Sequence, residues 1–442
     1  MIIISFVVVF LQVVDVNAGD SLMSILGDKN SLDYKIFYSV IFMISVFIQL
    51  YFLMTTSKIV FKFKKVTSRL ALIIVLFYMV CQITVITLLI FLLGEQLYTS
   101  RYNILLVQSI TGLSLMLSIV ILGSLIFKCV KTYVRTRSKI AGIYTIAVIA
   151  LSLQLFSALI YVESTLNGKP HYIYPTRNPW ASSSFTDLTI KLFSIYDTTR
   201  FISFIAVWMA SMLLTKSYAK KIGEKKYWII VSIPAIYFLF QYSTFLLNQL
   251  GVLSPLLTAN EPIFPNFYKF ILSTVNVGLG ILFGISFLIL ARAFTHERLK
   301  YYLIICGTGI MIIFSSNVST VLVKSVFPAW GVIAISFVLP ASFLILIGLD
   351  SATSYVAGDI KVRSYISKSK KQFELFRALA SAKASTEAEN KVHQIIKQFQ
   401  GNIESEALFA SRSELEDIKE YVDEVMTELK KSGRLNNTKS DD

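Results

Sequence analysis

Three ionisable residues, Lys191, Asp197 and Arg200, stand inside one apolar stretch, LTIKLFSIYDTTRFISFIAVWMASMLLTK, from Leu188 to Lys216. Asp197 and Arg200 are spaced i,i+3, which on a helix puts them on one face within pairing reach. Lys191 lies six residues before Asp197, off that face and near the end of the stretch, where its stem can snorkel. From Phe201 to Thr215 there are only 15 uncharged residues. A bilayer span needs about 20, so a crossing helix must reach back through Arg200 and Asp197 to about Phe193. Charges in such a place persist when they are paired or face a polar cavity. Two readings follow. The pair belongs to an outward-facing ligand pocket, or it is structural and satisfied by neighbours such as Gln154, Gln241 or Asn248.

The segment just before it, residues 163–187, is the longest loop between apolar runs up to that point. It reads ESTLNGKPHYIYPTRNPWASSSFTD and holds His171, Arg177 and Trp180 among tyrosines and prolines. A long loop of this kind can act as a lid or line an external pocket. Its aromatics equally suit a belt at headgroup level. His171, Arg177 and Trp180 therefore join Lys191, Asp197 and Arg200 as candidate ligand-binding residues.

These residues must be held by membrane helices. Of 442 residues, 55% are hydrophobic and 16% charged, with mean hydropathy +0.65; soluble domains run nearer 25% charged. Backbone groups in lipid must be satisfied within the segment, so long apolar runs become helices. No alternating ten-residue strands suggest a β-barrel. Residues 1–18 form a short apolar core ending in Val-Asn-Ala, which reads either as a signal peptide cleaved after Ala18 or as a short first helix. Spans follow at about 36–57, 70–93, 104–127, 140–162, 193–215, 228–250, 270–291, 303–323 and 331–349. The fold class is thus all-α, a polytopic transmembrane bundle of about nine spans over residues 19–349.

Charge sets the orientation. Loops 58–69, 128–139, 216–227 and 292–300 hold 18 Lys and Arg, and the alternate loops 19–35, 94–103, 163–187, 251–269 and 324–330 hold seven. Basic loops stay inside, so the N-terminus is expected outside and the C-terminus in the cytoplasm of a cell-membrane protein. The net charge of +15 resides in the membrane part, which argues topology rather than nucleic-acid binding.

Catalytic patterns are absent. There is no GxxxxGK[ST] phosphate loop, no GxSxG elbow, and His296-Glu297 lacks the second histidine of HExxH. His171, His296 and His393 fall in an outer loop, an inner loop and the tail, so no metal site is expected. Cys81, Cys129 and Cys306 show no CxxC spacing, and neither disulfide nor zinc is expected. No cofactor is implied. We also see no internal repeat and no carboxylate near the midplane for ion coupling, which counts against a transporter.

Residues 350–433 form a polar tail, with 434–442 reading as disordered. Ser413 and Glu416 fit a capping box. The following helix sets Leu415, Ile418, Val422, Val425 and Leu429 at spacings 3, 4, 3, 4, a short heptad stripe suited to a partner or to self-association. The segment FPAWGVIAISFVLPASFLILIGLDSATSYVAGDIKVRSYISKS from Phe327, with EYVDEVMTELKK near the end, resembles multi-pass membrane proteins of ammonia-oxidising archaea, and the layout is similar to the membrane halves of multi-helix sensors. These resemblances imply an archaeal cell-membrane protein and carry over no site residues. The expected function is a receptor or sensor in the lipid bilayer that relays an external signal through its tail to a cytoplasmic partner. A secondary transporter or channel, and a scaffold subunit of a membrane complex, are the alternatives.

Overall fold

A computed structural model describes residues 1–17, 32–62, 69–169, 171–173, 187–216, 223–249, 278, 280–292, 294, 296–316, 327–358 and 381–383. Nearly all of these are helical. In chain order the elements are α1 (Ile2–Asn17), α2 (Leu32–Lys62), α3 (Arg69–Thr99), β1 (Tyr102–Asn103), α4 (Ile104–Thr136), α5 (Lys139–Asn167) and β2 (Tyr172–Ile173). They continue with α6 (Asp187–Thr215), α7 (Glu224–Gln249), α8 (Gly280–Arg292), α9 (Glu297–Ser315), α10 (Val332–Ser336) and α11 (Val338–Gly358).

Among the described residues, six helices are long and apolar enough to cross a membrane: α2, α3, α4, α5, α9 and the α10–α11 unit. α1 and α8 are apolar but shorter. The exposed faces carry large apolar side chains, including Phe47, Phe91, Val120, Phe127 and Ile146. Such a surface fits lipid and would be costly in water.

Several helices outrun their apolar windows. α2, α3 and α4 reach Lys62, Thr99 and Thr136, where hydropathy alone places ends near 57, 93 and 127. The backbone ladder continues into the polar ends because each further residue adds a hydrogen bond at little cost. α4 starts where the Asn103 side chain accepts the Leu105 N–H (2.9 Å). It stops where Arg137 turns left-handed and its N–H bonds the Tyr133 carbonyl (2.8 Å). β1 and β2 form a short antiparallel ribbon, pairing Tyr102 with Ile173 and Asn103 with Tyr172. The ribbon marks one end of the bundle. The other end carries Lys128, Arg135 and Asp350.

The α10–α11 unit is the centre. Its window Val332–Val356 is 100% buried, against 39–72% for the other five, so α9, α4, α2, α3 and α1 surround it. The last apolar run reads as one span from its sequence. It is in fact broken at Phe337, with a five-residue α10 preceding α11. Close backbone approach fixes α9 in this core. A Cβ on Gly348 would lie 2.7 Å from the Cys306 amide nitrogen and 2.8 Å from the Tyr302 carbonyl. On the opposite face of α9, Gly280 and Gly284 of α8 approach the Met311 and Gly307 carbonyls in the same way. Small residues at such contacts let helices associate where lipid supplies no hydrophobic drive.

Gly348→Val therefore forces α9 and α11 apart and should lower stability by about 1–3 kcal/mol. Gly94→Ala, whose Cβ meets nothing within 4 Å, should cause no loss. Thermal unfolding of the purified protein in detergent checks both.

Candidate functional site

α6 presents the ionisable pair identified from its spacing. Arg200 is buried, and its guanidinium lies 3.6 Å from the Asp197 carboxylate, which remains about a third exposed (32%). The neighbouring turn is tied to α5, where Ser157 and Thr199 hydroxyls are 2.6 Å apart. Tyr161 of α5 stacks on Tyr196, with ring centroids 6.0 Å apart. Arg200 is thus enclosed between packed helices and shares its own helix with its partner. Gln154 of α5 holds a buried carbonyl oxygen with no partner among the described residues. The side chains of Gln241 and Asn248 lie outside the described set.

Lys191 bonds Asp187 at 2.6 Å on the exposed face of α6. His171 is exposed and held by its backbone, whose carbonyl accepts the Ile104 N–H (2.9 Å). Next to it Arg101 lies over the Tyr172 ring at 4.5 Å. Partial burial keeps the nearby Lys169 ammonium below its ordinary pKa. The structure does not bring His171 into contact with the Asp197–Arg200 pair. Arg177 and Trp180 lie outside the described residues, as do Leu415, Ile418, Val422, Val425 and Leu429.

A second polar centre, not recognised from the sequence, lies at the ribbon end. α1 packs inside the bundle against α9 and α10. Its polar residues Ser5, Gln12 and Asp15 are fully buried. Ser5 donates to the Thr308 hydroxyl (2.9 Å), and Gln12 receives the Ser315 hydroxyl. Asp15 accepts the backbone N–H groups of Gly331 (2.9 Å) and Ala334 (2.7 Å). Those two amides belong to the start of α10, where Gly331 adopts φ 89° and no local side chain caps the helix. Asp15 supplies that cap from another helix. Asp15 was not singled out from the sequence, and the expectation of no midplane carboxylate concerned another depth of the bundle. The signal was present: Ser5, Gln12 and Asp15 recur at spacings of 7 and 3, one stripe on an otherwise apolar helix.

Aromatic side chains wall this centre. Trp330 donates its indole N–H to the Tyr34 hydroxyl (2.7 Å) and meets Tyr38 edge-on at 4.8 Å between centroids. From α10 the polar contacts continue inward. Gln49 of α2 donates to Ser336 (2.7 Å) and accepts from Gln82 of α3 (2.8 Å).

At the opposite end Asp350 of α11 pairs with Lys128 of α4 (3.0 Å) and Lys383 (3.8 Å). Lys383 also bonds Ser354, and Arg135 donates to the Ala382 carbonyl (3.3 Å). This short piece of the region after α11 is therefore gripped by the bundle.

Among the described residues no three His, Cys, Asp or Glu side chains converge on a metal-sized site, and the three cysteines are free thiols. Against protein-family models, curated proteins and solved structures the chain shows no match.

Asp197→Asn strips the charge partner from buried Arg200 and should cost about 1–3 kcal/mol. Lys191→Ala breaks only an exposed pair and should stay within about 0.5 kcal/mol. Comparing their unfolding midpoints in detergent tests whether the α6 pair is held inside the fold.

Proposed function

We propose that the chain is a nine-span sensor of the cell membrane, with the ribbon end outside and its C-terminus in the cytoplasm, that passes an external signal to a cytoplasmic partner through its tail. One observation carries this reading. The α10–α11 unit is bound at its first residues by Asp15 and at its last turns by the Asp350–Lys383 contact. The 19 residue steps from Gly331 to Asp350 span about 28 Å at 1.5 Å per residue. A shift of α11 along its axis would change both ends together, because packed interfaces move between discrete arrangements rather than deforming continuously. The basic loops support the orientation, and it puts the ribbon end outside, where an external signal arrives.

A cation-coupled transporter is the second reading. It is favoured by the break between α10 and α11 beside a buried carboxylate, since broken helices commonly line transport sites. Proteoliposome flux that disappears in Asp15→Asn would favour it over the sensor.

Under the sensor reading, Asp350→Asn weakens the grip on residues 381–383. Protease access to the tail in inside-out vesicles should rise several-fold, with the bundle intact. Deleting 360–442 should abolish capture of the cytoplasmic partner by in-cell crosslinking. A tail that crosslinks to nothing, and whose protease access ignores Asp350, would refute the relay.

A further inference from the structure

We infer that the ribbon-end cluster of Asp15, Tyr38 and Gln96 is a binding site for a small alkali-metal cation of sodium size. The geometry begins with satisfaction. Tyr38 and Gln96 are each only 2% exposed. The Tyr38 hydroxyl and both polar atoms of the Gln96 amide have no hydrogen-bond partner among the described residues. Trp330, edge-on to Tyr38 at 4.8 Å, adjoins Gly331, whose N–H bonds Asp15, so Tyr38 and the Asp15 carboxylate share one neighbourhood, which the Gln96 amide adjoins. Polar groups left dry and unpaired are costly, so these together mark a place built to receive something.

The chemistry then selects the occupant. Asp15 spends one lone pair on each backbone N–H, and a carboxylate oxygen retains further acceptor capacity. Tyr38, Gln96 and Asp15 can each supply an oxygen. Trp330 and Tyr34 add aromatic surface, which also favours a cation. The charged neighbours are engaged elsewhere. On α2, Lys35 donates to Ser100 (2.9 Å) and Asp33 is exposed. On α3, Glu95 accepts the Asn103 N–H (2.9 Å). Beside β1, Arg101 lies over Tyr172. Among the described residues the enclosed formal charge is that of Asp15, and a monovalent ion neutralises it. Hard oxygen donors suit an alkali ion. The 4.8 Å approach of Tyr38 to Trp330 leaves little space for an organic amine.

The inference does not depend on the tail relay, because it concerns binding alone. The test uses the full chain purified in detergent. Thermal unfolding is followed in NaCl and in choline chloride, at constant ionic strength and pH, and retention of radioactive sodium is measured directly. The midpoint should climb with the logarithm of sodium concentration and not with choline. Asp15→Asn should abolish the climb. Tyr38→Phe and Gln96→Leu, which keep the cap on α10, should weaken apparent sodium affinity at least tenfold and decide the matter if Asp15→Asn fails to fold. Lys191→Ala should behave as the parent chain. A midpoint indifferent to sodium, an equal climb in choline, a dependence on pH alone, or full sodium retention in Tyr38→Phe and Gln96→Leu would each overturn the proposal.

Discussion

A helix that begins inside a bundle must find acceptors for its first N–H groups, and in lipid no water is at hand to provide them. α10 begins in this way. Its start is buried, Gly331 sits in a left-handed conformation, and the local sequence Pro328-Ala-Trp-Gly331 offers no capping side chain. Asp15 meets the requirement from α1, 316 residues away in sequence from Gly331. The start of α10 and the seat of the last turn of α1 against it depend on that one carboxylate.

The rest of the core follows from putting polar groups where they can answer each other. Ser336 takes the Gln49 amide, and Gln49 takes that of Gln82. The first bond ties α2 to the central unit and the second ties α3 to α2, each at a fixed height. Glycines then bring α8, α9 and α11 backbone to backbone. Aliphatic side chains fill the remaining volume, but in lipid they carry little preference for protein over solvent. Amide, hydroxyl and carboxylate contacts therefore specify the helix order, while Leu, Ile and Phe give the packing.

How much of this the sequence displayed depends on the range of the interaction. Helical class and apolar spans were legible, since hydropathy and backbone satisfaction are local. The Asp197–Arg200 pair was legible as well, because its partners are three residues apart. The Asp15 centre was not. Its partners are joined only by the tertiary fold, and a short apolar segment ending in Val-Asn-Ala matches a cleavable leader as well as a core helix. The break at Phe337 had one local sign, since Pro340 has no N–H to give the Ser336 carbonyl, but Val332 to Leu349 is otherwise almost uniformly apolar, and the trans cap from Asp15 that fixes where α10 starts was not visible. The grip of Asp350 on Lys383 also escaped a reading that ended the last span at 349, one residue before the carboxylate.

The two ionisable centres differ in what they can report. Asp197 and Arg200 ride on one helix, so their separation is set by α6 itself and changes little when α6 moves against its neighbours. Asp15 sits on α1 while its donors sit on α10, so its bonds measure the relative position of two helices. Asp350 is of the same kind, joining α11 to α4 and to the residues beyond. A protein that communicates by helix displacement must place its sensitive contacts between elements rather than within them. Under the proposed relay, the α6 pair would belong to the scaffold and the two contacts at the ends of the α10–α11 unit would carry the displacement.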